Sequence, residues 1–184
     1  AGNSFLDLKI TDNEMLMNGT SKFPAGHPGY FLSIFTDQNP GKVTIEKILP
    51  EHTALFVDFT FTDLEKWKRQ ISKYWSANQE KQLDRWVEFM TEYEFTIDWL
   101  DGEVGLAIME AIDVSSPDRV LLLKAKNPAE AYLQIENMAR KIAEKQNDSL
   151  YFEEYNDERI VQLSVDEWPQ LFLGELFTGF ENSY

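Results

Sequence analysis

The chain has no cysteine and only two histidines. The first absence excludes disulfides, thiol nucleophiles and thiolate metal sites. The second leaves little for imidazole-based catalysis: His27 stands between Gly26 and Pro28, and His52 follows Pro50-Glu51, both loop contexts. Glycine is sparse, nine in 184 residues, and dispersed, so there is neither a GxGxxG fingerprint nor a phosphate loop. No HExxH motif is present. No apolar run approaches the roughly 18 residues of a membrane-spanning helix, so no integral membrane segment is expected in this chain. Basic residues are also few, 17 against 32 acidic, for a net charge of −15. A surface of that sign repels phosphate backbones and anionic lipid headgroups, so nucleic acid is not an expected partner.

What is present is an ordinary globular composition with abundant aromatic residues. The charge is uneven: residues 63–94 hold seven acids and six bases, whereas 95–184 hold 18 and seven, a balance of −11. The stretch from Ile48 to Glu65 organises the chain. Leu55, Val57, Phe59 and Phe61 alternate with Phe56, Asp58 and Thr60, the period of a strand with one apolar face. Thr62 and Glu65 then form an expected capping box that opens a helix.

Upstream, Phe5–Ile10 and Met15–Asn18 flank the turn residues Thr11–Glu14, an expected β-hairpin. Pro24–Gly29 reads as a loop, Tyr30–Phe35 as a short strand or helix, and Val43–Ile45 as a short strand. Downstream, Leu64, Trp67, Ile71, Tyr74 and Trp75, then Leu83, Trp86, Val87, Met90 and Tyr93, recur at helical spacing, giving two helices or one bent near Ser76–Asn78. Such aromatic stripes read as core. Glu103–Glu110 and Val120–Ala125 read as strands, and Asn127-Pro128-Ala129-Glu130 supplies an N-cap, a proline at N1 and an acid at N3 for the next helix. A further hairpin is expected around Asn156–Glu158. The order predicts an α+β fold: a ferredoxin-like (βαββαβ) antiparallel sheet with both helical segments, 64–94 and 128–146, on one face, plus an N-terminal hairpin extension. The domain reading is a hairpin and linker over 1–40, ending a preceding module, and the α+β domain over 41–184.

Carboxylates are the remaining chemical candidates. Asp98, Asp101 and Glu103 cluster around Trp99 and Gly102 before a strand, and a glycosidase-like pair or a calcium site would need such oxygens. A helix-to-strand turn carries Asp and Gly for backbone reasons alone, so no catalytic, metal or cofactor site is assigned. Exposed tryptophans among Trp67, Trp75, Trp86, Trp99 and Trp168 would offer a carbohydrate-binding alternative. The tail from Trp168 to Phe180 is apolar without periodicity, and Leu171, Phe172, Leu176 and Phe177 are the expected protein-contact surface, open to homodimer formation.

Two stretches carry a resemblance. Leu49-Pro50-Glu51-His52-Thr53-Ala54-Leu55 resembles the "LP-x-x-T-A" strand opening of a bacterial family of envelope-associated proteins of unknown function. Trp99-Leu100-Asp101-Gly102-Glu103-Val104 resembles that family's "W-L-G-E-V" segment, with Asp101 as an extra residue. The resemblance spans residues 48–175. It implies a non-catalytic module of a larger exported cell-envelope protein, with an adjacent module or an envelope protein as partner, and brings no functional residues. The opening Ala1-Gly2-Asn3-Ser4, without an initiator methionine, is expected of a trimmed piece whose export signal lies upstream.

Overall fold

The computed structural model describes residues 3–11, 15–22, 27–78, 80–110, 118–156, 158–163, 165 and 169–170. Its centre is a three-stranded antiparallel sheet in which β4 (Leu100–Met109) lies between β3 (Thr53–Thr60) and β5 (Arg119–Ala125). Two separate antiparallel hairpins flank it in sequence: β1 (Asn3–Ile10) with β2 (Met15–Lys22), and β6 (Phe152–Tyr155) with β7 (Glu158–Val161). The helices are α1 (Leu64–Asn78), α2 (Glu80–Glu92) and α3 (Pro128–Lys145). The protein is therefore α+β with antiparallel sheets, as expected.

The ferredoxin-like strand order is not confirmed. A split β-α-β unit inserts a third strand between the two that a helix connects; here the connected strands β3 and β4 are direct neighbours, with Phe56 opposite Ala107 and Thr60 opposite Glu103. The cause is the break between α1 and α2. A straight helix would separate Trp75 and Trp86 by about 16 Å, yet their ring centroids are 5.4 Å apart, so the chain doubles back. One helix returns a strand parallel to its predecessor, whereas two helices return it antiparallel, ready to pair directly.

The β4 register sets two faces. Leu100, Val104 and Leu106 are buried and join Phe61, Trp67, Ile71 and Trp75, Phe89 of α2, and Met138, Ala139 and Ile142 of α3 in one core. All three helices thus serve the same face of the sheet. Ile34, in a 3-10 turn at Phe31–Phe35, belongs to that core, although it precedes the expected domain edge at residue 40. Phe35 stacks on Phe59 with ring centroids 5.4 Å apart.

Local signals explain the helix starts. Asn127 accepts from the amides of Ala129 and Glu130, with Pro128 in the first turn, as the sequence predicts. At α1 the cap lies one residue later than expected. Asp63, not Thr62, accepts from the Lys66 amide at 2.9 Å, because Glu65 turns outward to Lys68 at 2.9 Å and Gln38 occupies the Thr62 and Asp63 amides.

Candidate functional site

The outer face of the sheet, away from the helices, holds the most developed polar arrangement among the described residues. In register across it stand Phe56, Asp58 and Thr60 of β3, then Glu103, Gly105 and Ala107 of β4. Val120 and Leu122 of β5 continue the rows, followed by Lys124. Residues 41–48 lie across this face as a strap. Gly41 donates its amide to the Thr60 hydroxyl at 3.2 Å, and a Cβ there would stand 2.6 Å from the Thr60 Cβ. Ile45 opens a second 3-10 turn, Ile45–Ile48, in place of the strand expected at 43–45. Its side chain approaches Gly105, where a Cβ would lie 3.3 Å from Ile45 Cγ2 and 2.8 Å from the Phe56 ring.

Glu103 holds the strap down. Its carboxylate accepts from the Thr44 amide, from the Thr44 hydroxyl at 2.5 Å and from the Ile45 amide at 2.7 Å. Lys124 Nζ lies 3.4 Å away. These amides open a 3-10 turn and have no partner within it, so the carboxylate acts as a cap supplied from 59 residues away. Burial alone would raise the Glu103 carboxyl; the hydrogen bonds from Thr44 and Ile45 and the Lys124 ammonium outweigh it and hold the group below its ordinary value.

Asp58 is the opposite case. Both of its carboxylate oxygens are enclosed without a hydrogen-bond partner among the described residues. Burial, and then the negative charges of Glu103 and Glu46, push its pKa from 3.8 to about 6. The sequence marks Asp58 only as the one charged residue within Leu55–Phe61, and Lys124 likewise within Val120–Ala125. Their partners are remote in sequence, and no local pattern points to them.

The structure does not bring the three expected carboxylates together. Asp101 and Glu103 share Lys124, at 3.8 and 3.4 Å, whereas Asp98 pairs with Lys68 of α1, which holds it below its ordinary value. Gly102, at φ +69°, causes the division. The register slips there, and a Cβ would stand 2.2 Å from the Phe61 carbonyl oxygen. Of the stripe tryptophans expected in the core, Trp67 and Trp75 are buried and Trp86 is half-buried against them; Trp99, from the acidic turn, is buried as well. The Trp86 indole nitrogen is enclosed without a partner among the described residues, and Trp168 lies outside those residues. So do Leu171, Phe172, Leu176 and Phe177. His52 is exposed, 3.6 Å from Glu110, and His27 is exposed in its loop.

Cavities are small. One of about 10 Å³, lined by Phe31, Ile34, Phe59 and Trp67 among others, has room for about one water. A second, about 30 Å³, lies between the end of α3 and Leu150–Tyr151. No group of three or more acidic or histidine side chains among the described residues is arranged to hold a metal. No helix among them is long and apolar enough to cross a membrane. The α+β class is as far as the architecture takes the classification. No protein-family model matches the chain, and neither does any curated protein or solved structure compared with it.

Proposed function

We propose that this chain is a non-catalytic interaction module of a larger bacterial cell-envelope protein, engaging its partner through the β1–β2 hairpin. One observation carries the reading. Leu6, Leu8 and Ile10 occupy one face of β1 and are 66, 56 and 68% exposed, and the register sets Leu8 opposite Met17 and Ile10 opposite Met15. Isolated two-stranded ribbons are marginal in water. An apolar ribbon face whose outer edges are unpaired among the described residues favours docking against protein. The tail residues Leu171, Phe172, Leu176 and Phe177 are a second proposed contact, supported by the sequence alone. The exported, envelope-associated setting rests on the resemblance of Leu49–Leu55 and Trp99–Val104.

The alternatives have less support. A carbohydrate platform needs exposed indoles, and those of Trp67, Trp75 and Trp99 are in the core. A hydrolase needs carboxylates converging on a substrate-sized cleft, and Asp98 is tied to a different lysine from Asp101 and Glu103.

The partner surface is apolar, and without it a second copy takes its place. The isolated chain is therefore expected to self-associate in sedimentation velocity at about tens of micromolar. A triple variant, Leu6→Ser with Leu8→Ser and Ile10→Ser, is expected to sediment as a monomer with an unchanged melting temperature. A monomeric wild type, or a variant whose melting temperature falls by several degrees, overturns the proposal. The latter would mean that the hairpin packs on the body.

A further inference from the structure

The strap over residues 41–48 is held by a carboxylate and undermined by another. Glu103 grips it through the Thr44 and Ile45 amides. Asp58, on the adjacent strand and two register pairs along, on the same face, is enclosed with no donor to receive its charge among the described residues. The charged groups around it come from each element of this face. Glu103 belongs to β4 and Glu46 to the strap itself, and both act on Asp58 as like charges. Lys124 of β5 is the cation of the group, shared between Glu103 and Asp101. Ionised, Asp58 adds a third negative charge beside the two that the strap brings or binds. Neutral, it adds none.

We propose that residues 41–48 form a proton-operated cover of the sheet's outer face, seated when Asp58 is neutral and loosened when it is ionised. The cover closes in mild acid and opens toward alkaline pH. Glu103 stays ionised through this range, because its own hydrogen bonds hold it below the ordinary carboxyl value. The grip therefore persists while the opposing charge comes and goes. Opening lifts Ile45, which is 4% exposed in the seated state, off Gly105 and Phe56. It uncovers an apolar strip on the face opposite the helices. This inference is independent of the hairpin contact.

Amide hydrogen exchange, corrected for the intrinsic effect of pH and read at Thr44 and Ile45, tests the proposal. In the wild type, protection is expected to fall by about tenfold from pH 5 to pH 8, as ionisation of a linked group requires. In Asp58→Asn, protection is expected to stay at its acid level throughout. Glu46→Gln, on the exposed strap, removes one like charge and is expected to move the midpoint of the wild-type transition to lower pH. Equal protection at pH 5 and pH 8 in the wild type overturns the proposal. So does an unchanged slope in Asp58→Asn. If that variant does not fold, an unmoved midpoint in Glu46→Gln overturns it.

Discussion

The β1–β2 ribbon and the β3–β4–β5 sheet are both antiparallel, and both are written in alternating residues. One leaves Leu6, Leu8 and Ile10 in solvent; the other buries Val104 and Leu106 beneath three helices and closes its opposite face with a strap. Alternation specifies a strand and the side chains sharing a face. It does not specify what lies above that face. In the sheet the cover comes from helices with their own apolar stripes and from a carboxylate placed to receive two amides. The ribbon has neither beside it among the described residues.

The sharpest way to break this comparison is to remove one large side chain from each region. Trp75, 1% exposed, meets Trp86 in the core; Trp75→Ala is expected to cost about 3–5 kcal/mol, read by urea denaturation. The ribbon substitutions proposed above stay within about 0.5 kcal/mol of wild type. Equal losses would erase the distinction.

An intermediate effect comes from pH, and it belongs to the sheet alone. Asp58 has its pKa raised to about 6 in the folded state, so its favourable contribution is complete below its ordinary 3.8 and is lost as pH rises through 6. Glu103 is lowered from 4.5, so its contribution is present above 4.5 and is lost as pH falls through its folded value. The melting temperature is expected to be highest between about pH 3.8 and pH 4.5 and to decline from there to about pH 6. In Asp58→Asn the decline on the alkaline side flattens. A profile still rising at pH 7 would contradict the assignment.

The smallest effect sharpens the part played by the helices. Asn127→Ala removes the cap from Ala129 and Glu130 and is expected to cost about 1 kcal/mol. The loss should show as faster exchange in the first turn of α3, with the ribbon unchanged.

These contrasts also mark what could be read in advance. The β3 alternation, the α3 start at Asn127-Pro128 and the tryptophan stripe are local patterns, and each led to the right element. The interruption after Ser76 was legible too, but its consequence was geometric. A second helix reverses the chain, and that reversal decides which strands pair. The acidic run Asp98–Glu103 looked like one cluster because the sequence has no depth. Strand alternation and the Gly102 slip send its members to different lysines. Glu103 stands out in the sequence only for its acidic neighbours, yet its role depends on Thr44, 59 positions away. No window of sequence contains both. Asp58 was legible as a charge in an apolar strand, and its isolation became visible only once the strap was in place.

The route of the chain between the ribbon and the strap has a mechanical consequence. The order along the backbone is ribbon, then the Phe31–Phe35 turn with Ile34 in the core, then residues 41–48. A pull applied at the ribbon reaches the Ile34 anchor first and is borne there, by Phe35 on Phe59 and Phe31 against Tyr74. The strap lies beyond the anchor and outside the path of the load. Load on the ribbon would therefore fall on the aromatic anchor and leave the proposed movement of the strap to the proton alone.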